Sequence, residues 1–254
     1  MKIIACCKVV PDEELIKVLP SRQLSLDETP TKISQYDLNA LEAGKKLKAD
    51  TGAVLTVLSI GSSAYLEPTK IRKDILSRGA DDLKLIIDDS IAFEDSLQTA
   101  KAIAGAVKEI GDADLILCGT GSSDLYTQVT GVQAGTLLGY PTINNVTDIR
   151  IVNDGTIEVE RTLENSVEVF SVALPAVLSV SSEINTPGVP TMKEIMSAGK
   201  KPVNVLASVG DNTASASILS ELVPEQQDRR QEIIEGDNDE AVDALVAFLK
   251  KEAL

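Results

Sequence analysis

The residues best placed for chemistry in this chain are small ones at turns. Gly119-Thr120-Gly121-Ser122-Ser123-Asp124 follows the apolar run 114–118 and precedes a helical pattern. Turns at 8–12 and 59–63 also follow apolar runs. Glycine lets a backbone approach a ligand closely. A helix that starts beside such a turn offers free N–H groups and the positive end of its dipole, which suits a phosphate. Neither G-x-G-x-x-G nor G-x-x-x-x-G-K-[ST] occurs there, so the turns match neither common nucleotide fingerprint. Side-chain catalysis has little to work with. The chain has no His, which removes the usual general base, the Ser-His-Asp scheme and the commonest zinc ligand. Ser123 and Asp124 therefore lack an activating base, and Asp124 is expected to cap the following helix. Cys6, Cys7 and Cys118 show no metal-ligand spacing and read as small buried apolar residues. The pairs Asp81-Asp82 and Asp88-Asp89 read as solvated turn ends, whereas Asp12 lies on the ligand side.

The elements that must position these turns alternate. Apolar runs at 2–10, 53–60, 83–87 and 114–118 read as strands covered on both faces. Helical patterns intervene: one from the S-x-x-D signal at Ser34 and Asp37 to about 48, one at 69–77, one opened by Asp95 and Gln98, and one at 126–138. Runs 144–151, 156–163, 167–174 and 176–180 then read as strands, with Asn153-Asp154-Gly155 as a hairpin turn. They are expected to form antiparallel strands on or beside the same sheet. A short helix near 191–198 follows a proline-bearing connector. This predicts an α/β fold with a mostly parallel twisted sheet, helices on both faces and ligand loops at the carboxyl edge. The expected division is an α/β nucleotide-binding domain over 1–205 and a C-terminal arm over 206–254. The arm ends in an amphipathic helix at 239–251 and is expected to wrap another chain.

Composition narrows the partners. The net charge of −15 argues against nucleic acid and against an anionic membrane surface. No apolar run reaches the ~18 residues of a membrane span, so no stable insertion is expected. An odd cysteine count and the lack of a signal-peptide pattern point to a reducing cytoplasm. With no Trp and 3 Phe, the core must be aliphatic.

Several separated stretches resemble the beta subunit of electron transfer flavoproteins, closest to the branch associated with nitrogen fixation and carnitine metabolism. Met1-Lys2-Ile3-Ile4-Ala5-Cys6-Cys7-Lys8-Val9-Val10-Pro11-Asp12 is similar to its first strand and loop, and Lys32-Ile33-Ser34-Gln35-Tyr36-Asp37-Leu38-Asn39-Ala40 to its first helix. Ile71-Arg72-Lys73-Asp74-Ile75-Leu76-Ser77-Arg78-Gly79-Ala80 fits a further stretch. The most specific part runs from Val159-Glu160-Arg161-Thr162-Leu163 through Val167-Glu168 and Leu174-Pro175-Ala176-Val177-Leu178. It continues with Ile184-Asn185-Thr186-Pro187, Met192-Lys193-Glu194-Ile195-Met196 and Ala198-Gly199-Lys200-Lys201-Pro202. The resemblance covers roughly residues 1–205.

The resemblance implies a heterodimer with an alpha subunit and a redox FAD shared between the two. It implies an adenine nucleotide on this chain: AMP in simpler members, a second FAD in those that bifurcate electrons from NADH. Nucleotide contacts carry over to Lys8, Val9, Pro11, Ser59, Gly61, Gly119, Thr127, Gln128, Val129, Thr130 and Gly131. Glu168 takes the place of a glutamate facing the flavin-bearing part of the alpha subunit. Asn185, Pro187, Met192 and Ile195 fall in a loop that docks on acyl-CoA dehydrogenase-type flavoproteins, with Met192 as the apolar anchor. There are departures: Gly188 replaces an arginine, Leu125 and Tyr126 replace acidic residues, and Glu13 or Glu14 replaces an aromatic one. The expected function is to pass electrons between a flavin dehydrogenase and an acceptor, with no catalytic acid, base or nucleophile on this chain. Two alternatives stand beside it: an NADH-dependent bifurcating complex with a second FAD on this chain, and a stand-alone AMP- or ATP-binding regulatory protein.

Overall fold

The apolar runs assemble into one nine-stranded sheet. The computed structural model describes residues 1–92, 94–111, 113–207, 214–225 and 233–252. In chain order the strands are β1 (Lys2–Cys6), β2 (Val54–Gly61), β3 (Asp82–Ile87), β4 (Leu115–Gly119), β5 (Thr142–Asn153), β6 (Thr156–Thr162), β7 (Val167–Ala173), β8 (Ala176–Val180) and β9 (Val203–Val205). The helices are α1 (Gln35–Thr51), α2 (Ser63–Leu66), α3 (Thr69–Ser77), α4 (Ser96–Ile110), α5 (Thr130–Leu138), α6 (Met192–Ala198) and α7 (Asp239–Glu252). The sheet order is β7-β6-β5-β8-β4-β1-β2-β3-β9. Every pair from β5 across to β9 is parallel. Only β5 with β6 and β6 with β7 run antiparallel. The chain thus adopts the α/β class expected of it.

Two cores follow from the period of two along each strand. On β1, Ile3 and Ala5 face α1 and α3, whereas Ile4 and Cys6 face α4 and α5. Leu41 and Leu47 of α1 and Ile71 and Ile75 of α3 fill the first cluster; Ile103 and Val107 of α4 fill the second. Each fully buried Leu, Ile or Val contributes about 1.5–3 kcal/mol relative to exposure.

The structure corrects several sequence expectations. Residues 176–180 do not extend the antiparallel set. They form β8, parallel and central between β5 and β4. All five residues are buried: an unbroken apolar run needs cover on both faces, which only the sheet centre supplies. The helix expected over 126–138 starts at Thr130, because Tyr126 and Gln128 hold positive φ. Two small strand pairs, Val9–Pro11 with Thr31–Ile33 and Lys17–Val18 with Leu24–Ser25, carry too few residues for a periodic signal.

The arm divides. Residues 214–225 lie back on the α/β domain: Ser215 N–H donates to Asp95 Oδ2 (2.5 Å), Val223 N–H to the Arg22 carbonyl (2.8 Å), and Arg22 pairs with Glu225 (2.9 Å). Helix α7 buries none of its side chains.

Candidate functional site

Strand order fixes where the site lies. From β1 the chain moves to β2 and β3 on one side, and β4 then starts on the other side of β1. Loops leaving β1 and β4 therefore diverge, and the crevice between their carboxyl ends is where open α/β sheets bind ligands. A cavity of ≈ 650 Å³ opens there. Its floor holds Cys6, Cys7 and Cys118, and its rim is the 119–131 loop. Of the residues expected to touch a nucleotide, Lys8, Val9, Pro11, Gly61, Gly119, Thr127, Gln128, Val129, Thr130 and Gly131 line this one cavity. Ser59 does not. It is fully buried beneath the wall, where its hydroxyl donates to the Cys7 carbonyl (2.6 Å) and ties β2 to the β1 loop.

The 119–131 loop turns sharply into α5. Gln128 has φ 61°, and Val129 follows at φ −118°, ψ −19°. A positive-φ residue followed by a right-handed one is the kind of backbone sequence from which anion-binding nests are built. The first helical bond of α5 runs from Gln133 N–H to the Val129 carbonyl (2.9 Å). The N–H groups of Thr130, Gly131 and Val132 precede it, at the positive end of the helix. Gly131 is required by proximity: a Cβ there would stand 2.3 Å from Ser179 Oγ on β8. Tyr126 folds over Gly121 and packs at a tilt of 35° against Tyr36 of α1, with ring centroids 4.9 Å apart.

Asp37, in the first turn of α1, joins the two sides of the crevice. Lys8 N–H donates to its Oδ2 (2.7 Å), and Gly119 N–H donates to its Oδ1 (3.1 Å). Burial pushes this carboxyl up to about 7, and the two N–H groups only partly offset it. The S-x-x-D signal thus marks the helix start, but Ser34 makes no side-chain cap bond. Its hydroxyl instead accepts from Ser123 N–H (3.3 Å) in the loop. Asp124 does not cap α5 either. It pairs with Lys8 Nζ at 2.6 Å. Burial works against the Asp124 carboxylate, but the Lys8 charge holds it below the usual range.

The thiols on the cavity floor are held in their neutral form. Burial raises the Cys7 thiol; the hydrogen bond with Cys118, then burial, raises Cys6. Both stay protonated and poorly nucleophilic. Carboxylates of Glu13, Asp89, Glu94 and Glu221 line the other walls. Asp89 is an exposed turn end, as expected, and also accepts from Ser63 N–H (2.7 Å). Likewise Asp81 accepts from Leu55 N–H (2.9 Å) and Lys48 (2.5 Å). Sequence reasoning missed Asp37, Asp89 and Glu221 as parts of the site. Only Asp37 carried a local signal, as a helix start.

The remaining predicted residues lie elsewhere. Glu168 sits on β7 in a forked ion pair with Arg161, which also lies over the Phe170 ring. Asn185 anchors its loop to α1: Asn39 Nδ2 donates to the Asn185 carbonyl (2.8 Å), and Asn185 Nδ2 donates to the Asn39 carbonyl (3.0 Å). Thr191 and Glu194 close a capping box at the start of α6, and Glu194 pairs with Lys45 (2.8 Å). That pair, with the Thr191 bonds, holds Glu194 at about 2. The rigid frame displays apolar side chains outward: Val189 is 90% exposed, Met192 72% and Met196 74%. Ile195 and Pro187 are also solvent-accessible, so Met192 is a surface knob and not core.

Residues 23–209 match the family model of the electron transfer flavoprotein domain. The chain belongs to the electron transfer flavoprotein family. The match spans the 119–131 loop, the antiparallel extension and the Asn185–Met196 surface, and begins after the Lys8 loop. Members of the electron transfer flavoprotein family carry electrons by means of a flavin. No helix among the described residues is long and apolar enough to cross a membrane.

Proposed function

We propose that this chain is the beta subunit of an electron transfer flavoprotein. In this reading it passes electrons between a flavin dehydrogenase and an acceptor as a heterodimer with an alpha subunit. The observation that carries the reading is the nest at Gln128–Val129 opening onto the ≈ 650 Å³ cavity at the sheet's switch point. Its N–H groups and the start of α5 fit a phosphate-bearing adenine nucleotide, and the missing side chain at Gly131 lets the start of α5 pack close on Ser179 of β8. The redox chemistry belongs to the shared FAD. The protein supplies binding, orientation and electrostatics. Lys8, Gly119 and residues 127–131 hold the nucleotide, Glu168 faces the alpha subunit's flavin region, and the Met192 knob docks on an acyl-CoA dehydrogenase-type partner. Anchoring by one apolar side chain suits a brief electron-transfer encounter with a small interface.

A second reading, a bifurcating complex with FAD on this chain, draws support from the apolar far wall. Ile16, Leu24, Leu26, Ile60 and Ile91 extend the cavity beyond the phosphate loop. Co-expression with the neighbouring alpha subunit, followed by counting flavin and AMP per heterodimer, tests both. One FAD and one AMP support the single-flavin carrier, and two FAD support the bifurcating complex. A purified pair without flavin absorbance refutes both.

A further inference from the structure

The Asp37 side chain touches both strand-end loops of the crevice through their backbones. Its two oxygens accept from Lys8 N–H at 2.7 Å and Gly119 N–H at 3.1 Å. The residue is 7% exposed and sits in the first turn of α1, between β1 and β4. Gly119 packs so tightly on it that a Cβ there would lie 2.6 Å from Asp37 Oδ1. The backbone of one wall of the site is thus set by a largely buried carboxylate at the cavity's edge. We propose that Asp37 is the positioning residue of the nucleotide cavity: its carboxylate clamps the β1 and β4 loops at the separation that the ligand requires. This rests on the reading of the cavity as a nucleotide site.

The clamp needs both oxygens as acceptors, so it works only while the carboxylate is ionised. The groups facing it are Lys8 and Asp124, across the loops, and the thiols of Cys6 at the end of β1 and Cys7 just after it. Lys8 favours the charged form; Asp124 opposes it. Burial outweighs the two N–H bonds and places the midpoint at about 7. A protonated carboxyl turns an O–H toward one of two N–H donors and releases that loop. Nucleotide affinity therefore rises with pH through this midpoint, by about tenfold between pH 6 and pH 8 when binding requires the ionised form. The nucleotide's own phosphate also titrates near pH 6. It does so equally in a variant that lacks the clamp, so the comparison isolates Asp37.

The test uses the full-length chain, wild type and Asp37→Asn, with AMP as the calorimetric probe between pH 6 and pH 8. Amide resonances of Lys8 and Gly119 are followed in the same samples without ligand. In the wild type, both amides should shift together with one midpoint near pH 7, and AMP should bind about tenfold tighter at pH 8 than the phosphate alone explains. In Asp37→Asn, both amides should lose that midpoint and the extra pH dependence of binding should vanish. Amides that do not titrate together overturn the clamp whatever the ligand does. Equal AMP affinity and equal pH profiles in the two proteins overturn it while leaving the nucleotide site intact. Co-titrating amides in a chain that never binds AMP or FAD uphold the backbone clamp but refute the nucleotide reading and, with it, the ligand half of the proposal.

Discussion

The strap formed by residues 214–225 depends on Asp95, and replacing that residue should unfasten it. Asp95 accepts from Gln98 N–H (3.0 Å) as the N-cap of α4, and from Ser215 N–H (2.5 Å), Ser215 Oγ (2.8 Å) and Ala216 N–H (3.1 Å) in the strap. A hydrogen bond to a charged group contributes about 1.5–3 kcal/mol. Taking the low end for the two strap N–H groups alone gives about 3 kcal/mol, a factor of about 100 in the opening equilibrium. Losing the cap costs a further ~1 kcal/mol in α4. Asp95→Ala should therefore speed amide exchange at Ser215 and Ala216 by about 100-fold, with a modest fall in overall stability. Asp95→Asn keeps an acceptor for Gln98 and should speed the strap while sparing α4. Because Glu221 of the strap lines the cavity, bound nucleotide should leave faster in both variants. Hydrogen exchange read by mass spectrometry or NMR checks this. Strap exchange as fast in the wild type as in Asp95→Ala, or acceleration confined to α4, refutes the reasoning.

Other outcomes follow from the same geometry. Gly131→Ala forces a Cβ to 2.3 Å from Ser179 Oγ. Such overpacking should cost about 1–3 kcal/mol and nucleotide binding with it, and adding Ser179→Ala should restore part of both in thermal melts and titration. Met192→Ala removes a knob that is 72% exposed. It should weaken partner binding by about 2 kcal/mol, or about 30-fold, with no change in Tm. Leu245→Asp on α7 should leave the stability of this chain within about 0.5 kcal/mol, while abolishing co-purification with the alpha subunit.

Much of the fold was legible because its strands are buried runs and its helices carry end signals. Asp95 caps α4 through Gln98 N–H as its position predicted, and Asn153-Asp154-Gly155 turns β5 into β6. What sequence could not supply is tertiary competition for side chains. Ser34 and Asp37 have the pattern of a capping pair, yet both bond the loops instead, because those loops bring buried N–H groups that need acceptors. Asp124 had the pattern of a cap and went to Lys8 for a similar reason: a half-buried carboxylate gains more from a cation than from a helix end. The cavity loops themselves were legible from glycine placement, but the nest was not. It depends on Tyr126 and Gln128 adopting a backbone conformation that their residue types seldom favour.

Strand β7 closes one end of the sheet, and its outward row includes Val167 and Val169, both exposed. Its free backbone edge would template pairing with another chain. A single ion pair, Glu168 with Arg161, stands against this on that strand. Together with the uncovered apolar face of α7, this gives an unassembled chain the surface signature that cellular quality control reads as misfolded. Under the proposed pairing, subunit supply would be matched by degradation: copies made in excess of the proposed alpha subunit should have short lifetimes, and the net charge of −15 would delay their precipitation.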